Sequence, residues 1–545
     1  ATGVESRIYL GSNALLDATG VVRVNPVNYL GLTTGEILDA GQVNLAATSG
    51  SIFAESGASI NVDGASGSFH INQDGLLTLV QDSGDAGTVS FAAAESLIYG
   101  GDLSAQATGS SQGGQIYIML DPNQRGISEP VAPNFVNENV YRGEYVAILD
   151  DYTGSLPTYD EEVASELKGK AYVPVEEILA AGFDSLEVTV KPSGSGDPDL
   201  VGSVSVIEFS TDLDLALERR LILDAAIFRT TGDADVNLRS AYVALGSSFS
   251  EFQLDGAVFD AGTEFDSSTG RYKFTDNQAG DVITLTPTAG AGSLYVEGDL
   301  IELIGEMVTQ GFGTAGERLQ ADGTVSGEAG VSFVSQGDFR VRGVRQEEPD
   351  SLEFDGLFRS ASDVTITAER IYPVTLTDFE LSVEGVDGSI EFISLTNDDP
   401  GAPLSIAGGL AINADFIRQG SNVYAPLGSL EFNAAQYLEL TETSLTSSSG
   451  FGVSAPFFTT QKSGVDLTIV TPDDGSSSLE SNIIFVEALT EDGFDRLLPE
   501  QFVLLNGASI DVREGARFDV RGGTGARASE FVLGPGGSVL SLIHI

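Results

Sequence analysis

The chain has 545 residues, with 26 lysines and arginines against 80 aspartates and glutamates, so its net charge is −54. A surface this negative repels phosphate backbones and anionic lipids, which argues against nucleic-acid binding and peripheral membrane binding. The absence of cysteine excludes a disulfide framework, a thiolate zinc site and a cysteine nucleophile. Hydrophobic residues make up 41% of the chain, too many for a disordered acidic tail, so we expect a folded protein.

One short unit recurs along the chain without a fixed period. It consists of a glycine, a small polar residue, alternating apolar positions, and a closing glycine or aspartate. Alternation over four to six residues is typical of short, half-buried strands, and glycine at the boundaries is expected to supply the positive φ of tight turns. The units begin at Gly50, Gly101, Gly292, Gly330, Gly428, Gly507 and Gly515.

The irregular spacing of these strands favours some all-β architectures over others. A sandwich array predicts repeats of domain size, and a propeller predicts a regular blade period; neither is present. A parallel β-helix (β-solenoid) tolerates irregular loops because each coil only has to stack on its neighbours. We therefore predict an all-β parallel β-helix with a core of leucine, isoleucine, valine, phenylalanine and alanine.

Composition divides the chain into three parts. Residues 1–120 and 200–539 are predicted as β-helix, and the proline- and tyrosine-rich range 121–199 as an excursion with two short helices, at 160–168 and 175–181. Acidic residues open both helical segments, as suits a helix N-terminus. Smaller loop insertions are expected near 260–281, 397–403 and 472–478. Such insertions tend to lie on one face of a solenoid, often the binding face.

The ends of the chain suggest a fragment. The first residue is Ala1 rather than methionine, and no signal peptide or apolar run long enough for a membrane helix is present. The last six residues, 540–545, resemble the translation of a sequencing adapter and are interpreted as a non-native tail, so His544 is given no functional role. A short apolar strand is the alternative interpretation of this segment.

Several segments in order resemble the large filamentous-haemagglutinin-like adhesins of Gram-negative bacteria. The resemblance covers nearly the whole chain, and each segment is rich in glycine and apolar residues. The segments are 33–41 leading into 50–52, then 180–186, 241–246, 370–375, 425–430 and 530–537.

This resemblance implies a right-handed parallel β-helix, export by two-partner secretion and a role in attachment to cells or surfaces. It also implies an outer-membrane transporter as the export partner and host-cell or surface glycans or proteins as ligands. The family's N-terminal secretion domain is not visible, so we expect an internal segment of the shaft: a secreted, surface-exposed, monomeric rod that is not an enzyme.

No catalytic, cofactor-binding or metal-binding residue is assigned from the sequence. His70, the only internal histidine, is expected to be a solvent-facing strand residue, because nothing local supplies a catalytic partner. Acidic pairs are expected to be solvated turn carboxylates, with weak calcium binding as the alternative. These pairs are Asp82 with Asp85, Asp197 with Asp199, Asp398 with Asp399, and Asp473 with Asp474.

A glycan-active β-helix enzyme, either a hydrolase or a lyase, is the main alternative function. The negative field and the five lysines disfavour a polyanionic substrate, but paired carboxylates acting on a neutral glycan stay possible. Aromatic residues of the excursion are expected to form a small local core, with sugar stacking as the alternative. They are Phe135, Tyr141, Tyr145, Tyr152, Tyr159 and Tyr172. A purely structural biofilm or surface protein is the third hypothesis.

Overall fold

The computed structural model is built almost entirely of β-strands. It describes residues 6–73, 76–122, 144–161, 163–192, 203–249, 258–259, 263–266, 271–274, 281–282, 285–313, 318–319, 325–326, 330–345, 354–396, 399–451, 454–455, 458–461, 464–470, 483–486, 500–522, 527–533 and 540–544. The predicted insertion at 472–478 lies outside these residues, as do parts of the ranges 121–199, 260–281 and 397–403.

Among the described residues up to 313, the chain contains 28 strands and one helix. In order they are β1 Arg7–Leu10, β2 Leu15–Asp17, β3 Val21–Val24, β4 Gly35–Leu38, β5 Gln42–Ala47, β6 Ser51–Ala54, β7 Ser59–Asn61, β8 Ser66–Gln73, β9 Leu76–Ser83, β10 Thr88–Ala93, β11 Ser96–Tyr99, β12 Asp102–Ser104, β13 Gly114–Leu120, β14 Glu144–Ile148, β15 Lys170–Tyr172, α1 Val175–Ala181, β16 Phe183–Val190, β17 Val204–Phe209, β18 Leu213–Ala216, β19 Arg220–Asp224, β20 Ile227–Thr230, β21 Asp235–Arg239, β22 Tyr242–Leu245, β23 Val258–Phe259, β24 Thr263–Asp266, β25 Arg271–Phe274, β26 Asp281–Val282, β27 Thr288–Ile304 and β28 Glu306–Phe312.

The remainder contributes strands only, among the residues that the structure describes. They are β29 Arg318–Leu319, β30 Val325–Ser326, β31 Val331–Arg342, β32 Val344–Arg345, β33 Phe354–Ser360, β34 Val364–Ala368, β35 Arg370–Pro373, β36 Thr377–Val383, β37 Ser389–Ser394, β38 Gly409–Gly420, β39 Asn422–Tyr424, β40 Ser429–Leu440, β41 Leu445–Ser447, β42 Ser454–Ala455, β43 Phe458–Gln461, β44 Gly464–Val470, β45 Ile483–Val486, β46 Phe502–Val512, β47 Arg517–Asp519, β48 Arg527–Leu533 and β49 Leu540–His544.

The chain forms two compact units. One comprises Ala1–Ala315, Ala329–Ser332 and Arg359–Ser362, and the other comprises Gly316–Glu328, Phe333–Phe358 and Asp363–Ile545. Nearly all strands of the main sheet pair in parallel; the pairings close on themselves, and several small sheets lie outside. The all-β class predicted from the alternating pattern is therefore confirmed, whereas winding of the chain as a right-handed helix stays a prediction.

Aligned apolar residues form the core of the first unit. One ladder of register partners crosses the paired strands of this unit. It consists of Leu45, Phe91, Ile118, Val188, Leu223, Leu245 and Leu303. From Phe91 onward these side chains are buried, because alternate residues of each parallel strand face inward. The spacing varies: Leu223 and Leu245 are 22 positions apart, whereas Ile118 and Val188 are 70 positions apart.

The second unit has the same kind of core, with register partners from 20 to 73 positions apart. Leu381, Ile412, Phe432 and Leu505 form one apolar ladder across β36, β38, β40 and β46. A second apolar ladder consists of Ile390, Ile417, Leu438 and Ile510. The side chains from β36 to β40 in these ladders are buried, so the unit has a continuous apolar interior.

Strands begin at or soon after Gly50, Gly101, Gly330, Gly428 and Gly515, whereas Gly292 and Gly507 lie inside β27 and β46. The predicted positive φ is present at Gly515 (109°) but not at two other unit starts. Strands β6 and β40 start directly after Gly50 and Gly428, neither of which has a positive φ. A Cβ at Gly428 would instead overlap the carbonyl oxygen of Gly408, and one at Gly50 would overlap that of Ser6. Close approach of the neighbouring backbone, rather than a left-handed turn, therefore requires glycine there.

The range 121–199 is less separate than its composition indicates. Strands β14, β15 and β16 lie within it and pair in parallel with the main sheet. Helix α1 forms over the predicted residues and ends at Gly182, whose φ is 88°. The second predicted helix, at 160–168, is wrong: its described residues form turns, with a hydrogen bond from the Leu167 N–H to the Ala164 carbonyl (3.0 Å).

Hairpins project from the main sheet at several places. Strands β8 and β9 form an antiparallel pair, and so do β24 and β25 within the predicted insertion at 260–281. Leu540–His544 pairs antiparallel with β48, so a short strand describes the conformation of the predicted non-native tail. In the described part of the chain, no helix is long and apolar enough to cross a membrane.

Candidate functional site

The sequence-derived candidates that the structure describes make local hydrogen bonds. His70 lies on β8, is half-buried, and its Nδ1 lies 3.1 Å from the Thr33 backbone nitrogen, within hydrogen-bond distance. The carboxylates of the acidic pairs accept backbone hydrogen bonds: Asp85 from the N–H of Gln112 (2.8 Å) and Asp399 from that of Gly401 (2.9 Å). No group of three or more acidic or histidine side chains is arranged for a metal ion among the described residues. Asp197, Asp199, Asp398, Asp473 and Asp474 lie outside them.

The aromatic residues of the excursion mainly form the predicted local core. Tyr145 is buried, and the rings of Tyr152 and Tyr172 lie 4.9 Å apart against a cluster that includes Phe53. Tyr159 differs, because it is 68% exposed. Phe135 and Tyr141 lie outside the described residues. Tyr145, Tyr152 and Tyr172 therefore form a local core rather than an exposed stacking surface.

A different group of side chains gathers at one edge of the main sheet in the first unit. Strands β13, β16, β19 and β22 pair in parallel in this order, and their carboxyl ends coincide. We call the side chains at or just beyond these ends the edge cluster. Its members are Asp121, Lys191, Asp224, Ser248 and Phe249.

Three long connections leave the main sheet beside the edge cluster. The chain leaves after Leu120, Val190 and Leu245 and next contributes to the main sheet at Glu144, Val204 and Thr288, respectively. Because the carboxyl ends of these parallel strands lie together, the connections start from one place on the unit. The edge cluster therefore occupies the position at which inserted loops surround a binding site in other repetitive and parallel-sheet folds.

Charged groups of the edge cluster are held at short range. Lys191 Nζ lies 3.2 Å from Asp121 Oδ2, and the side chains of Lys191 and Asp121 are 26% and 6% exposed. The same Nζ lies 5.5 Å from the centroid of the Phe249 ring, within the range of a cation–π contact. Partial removal from water strengthens both interactions relative to a surface ion pair.

The pKa of the Asp224 carboxyl group is raised toward neutral pH. Its Oδ1 accepts the Ser248 N–H (2.8 Å) and its Oδ2 accepts the Ser248 hydroxyl (2.6 Å). Burial raises the pKa of Asp224 to about 6, opposed by the Ser248 hydrogen bonds; nearby Glu187 also raises it and Lys191 lowers it. Burial likewise raises the pKa of Glu187, which is opposed by Arg220.

Sequence reasoning missed the edge cluster because its members are far apart in the chain. Asp121 and Lys191 are 70 positions apart, and no periodicity predicts which residues of two irregular repeats will align. The available signal was the start of the excursions, at residue 121 and again near residue 260, since insertions in a solenoid tend to share one face. Parallel strands end at the same edge of a sheet. Together with that expectation, the signal would have pointed to the residues immediately before each insertion.

Comparison with known proteins does not assign the chain to a family. No family model, no curated protein and no solved structure matches the chain. The resemblance to filamentous-haemagglutinin-like adhesins thus stays a prediction, and function has to be argued from the residues.

Proposed function

We propose that the chain is a segment of an exported attachment protein in which parallel β-helical coils carry inserted loops that bind a ligand. The observation that supports it best is the register of the paired strands. Residues at equivalent positions align through successive strands, with steps as short as 22 positions from Leu223 to Leu245. A helical winding in which each turn stacks on the preceding one accounts for both the alignment and the variable loop length.

Outward-facing side chains support the same winding. On β38, β40 and β46, Asn413, Asn433 and Asn506 occupy equivalent register positions. Asn433 Nδ2 donates to Asn413 Oδ1 (3.0 Å), and Asn506 Nδ2 donates to Asn433 Oδ1 (3.5 Å). In such a ladder of like residues, each side-chain amide forms a hydrogen bond with the equivalent residue on the neighbouring strand.

The attachment role follows from the resemblance and the chemistry of the surface. A net charge of −54 disfavours nucleic acid, polyanionic glycans and anionic lipids as ligands, which leaves neutral glycans and proteins. Export through an outer-membrane transporter and display outside the outer membrane belong to this proposal, and the absence of cysteine is compatible with such a route.

A binding experiment tests the proposal directly. Fluorescent purified chain is applied to epithelial cells, abiotic surfaces and an array of neutral and charged glycans. We expect saturable binding to cells or neutral glycans that weakens when the connections beside the edge cluster are replaced by short glycine–serine linkers. Equal binding by the loop-replaced chain would contradict a loop-borne ligand site, and no binding to any target would favour the purely structural hypothesis.

A glycan-active enzyme is the second candidate, and Asp224 is the observation that favours it. A carboxyl group with a pKa of about 6 can donate a proton near neutral pH, as a glycosidase general acid must. Incubation with neutral polysaccharides, followed by a reducing-sugar assay, tests this candidate. We expect product formation that falls at least tenfold in Asp224→Asn if the enzyme hypothesis is right; absence of product with the unmodified chain contradicts it.

A further inference from the structure

Asp121 and Lys191 lie side by side at the ends of two paired strands. Leu120 of β13 is the register partner of Val190 of β16, so each charged residue is the next one along its chain. The amine nitrogen lies 3.2 Å from one carboxylate oxygen, and the Asp121 side chain is only 6% exposed. The backbone therefore holds the two groups together through the parallel pairing, without depending on chance encounter of flexible side chains.

The surroundings of this pair differ from those of an ordinary surface ion pair. The Phe249 ring centroid lies 5.5 Å from the lysine Nζ, and the lysine side chain is 26% exposed. Asp224 lies close enough to feel the charge of Lys191, and it is held in place by two hydrogen bonds from Ser248. The pair thus has an apolar neighbour and a second carboxyl group that can carry a proton.

We infer that Lys191 and Asp121 become joined by an intramolecular isopeptide bond, an amide between the lysine Nζ and the aspartate Cγ. Holding an amine against a carboxyl group makes the condensation effectively unimolecular, which is the condition under which amide formation without an external activating group becomes accessible. The inference does not depend on the attachment function, because it concerns the chemistry of the folded chain alone.

The reaction balances without a co-reactant. The Nζ–Cγ bond forms and one Cγ–O bond of Asp121 breaks. Starting from the ammonium and the carboxylate, the two protons that the lysine nitrogen loses leave with the aspartate oxygen as one water. Water at the partly exposed lysine side chain carries the protons between these atoms.

The bond gives the chain a covalent closure that its composition otherwise lacks. No cysteine is present, so no disulfide can fasten one strand to another. An amide between residues 121 and 191 closes the segment 122–190, which includes β14, β15 and α1. As with a disulfide, closing a long segment restricts the unfolded chain and favours the folded one.

Mass spectrometry of the purified folded chain is the decisive experiment. We expect an intact mass lower than the sequence mass by one water, about 18 Da, and a branched proteolytic peptide joining the Asp121 and Lys191 segments. Lys191→Arg keeps a cation beside Asp121 but lacks the amine nucleophile, so its mass should equal its sequence mass. The matched control Lys170→Arg should retain the deficit of one water.

Two further variants test which residues form the bond. Asp224→Asn leaves the amine and the carboxyl group of the pair in place, so its mass should also be lower than its sequence mass by one water. Asp121→Ala should show no deficit. The inference is overturned if the unmodified chain, folded and held for days at neutral pH, keeps its full sequence mass, or if the branched peptide joins other residues.

Discussion

Arg370 donates two hydrogen bonds to the carboxylate of Asp338, from Nε to Oδ1 (2.6 Å) and from Nη2 to Oδ2 (3.0 Å). The two residues are register partners on β35 and β31, and Tyr372 donates a further hydrogen bond to Asp338 (2.9 Å). The side chains of Arg370 and Asp338 are 28% and 18% exposed, so the pair is partly shielded from water. A planar guanidinium matches both carboxylate oxygens at once, which fixes the register of the two strands.

Arg370→Lys tests the importance of this two-point contact. We expect the free energy of unfolding of the second unit to fall by about 1 kcal/mol, because an ammonium keeps the charge but loses the paired geometry. Urea denaturation followed by circular dichroism measures the change. The control is Arg23→Lys, whose exposed ion pair with Glu36 should contribute about 0–0.5 kcal/mol. Equal effects of the two substitutions would contradict the proposed role of Arg370.

Asp224→Asn tests the raised pKa at the edge cluster. Because the folded-state pKa of about 6 exceeds the ordinary value of 3.8, the folded chain binds more protons than the unfolded chain between these values. Stability contributed by Asp224 is therefore lost as pH rises from about 4 to about 6. We expect the substitution to remove this slope and to raise stability at pH 7 by about 1 kcal/mol, a figure reduced for partial exposure.

The measurement is the difference in urea midpoint between the two chains at a series of pH values. Taking the difference cancels the general effect of neutralising many carboxylates, which both chains share. A difference that is constant from pH 4 to pH 7 would show that Asp224 titrates normally.

Asp519→Asn should show the opposite pH dependence. Hydrogen bonding to Arg521 lowers the pKa of Asp519 from 3.8 to about 2. The stability from this carboxylate is present above pH 4 and is lost as pH falls from about 4 to about 2. We expect the substitution to lower stability at pH 7 by less than about 1 kcal/mol, since the partner arginine is largely exposed. Thermal unfolding at pH 7 and pH 3 checks this, with a larger effect expected at pH 7.

Gly428→Ala tests close approach of neighbouring strands. A new Cβ would overlap the carbonyl oxygen of Gly408, so the backbone would have to move at the start of β40. We expect a loss of about 2 kcal/mol or more, in the range of overpacking substitutions. Gly232→Ala is the matched control, because a Cβ added to Gly232 would meet no atom within 4 Å and the φ of this residue is not positive. Similar melting temperatures for both variants would contradict the packing argument.

Local features of the fold were predictable because they depend on neighbouring residues in the chain. Alternation after Gly428 predicts β40, and the acidic opening of 175–181 predicts α1, which ends at Gly182. The similar opening at 160–168 misled the same reasoning. Both segments bury apolar residues, Val163 and Leu167 in the first and Val175, Ile178 and Ala181 in the second, so neither an acidic opening nor a buried face distinguishes the helix from the turns.

Pairing between repeats was not predictable, and the candidate site depends on it. Nothing near Asp121 in the sequence identifies Lys191 as its neighbour, because register partners elsewhere lie from 20 to 73 positions apart. Likewise, the raised pKa of Asp224 follows from burial that only the assembled sheet creates. The sequence supports the class of fold and the places where loops leave it, while the chemistry at those places comes from alignment over long separations.

Ile118 and Val188 keep the same register as Leu223 and Leu245, although the first two residues are separated by 70 positions and the second two by 22. The pairing register thus depends on the strands themselves and not on the length of chain between them. A connection can be lengthened, shortened or exchanged while the strands on either side stay in place. The main sheet therefore serves as a fixed frame onto which unrelated loops can be grafted, a property that suits evolutionary change of ligand and the display of foreign sequences alike.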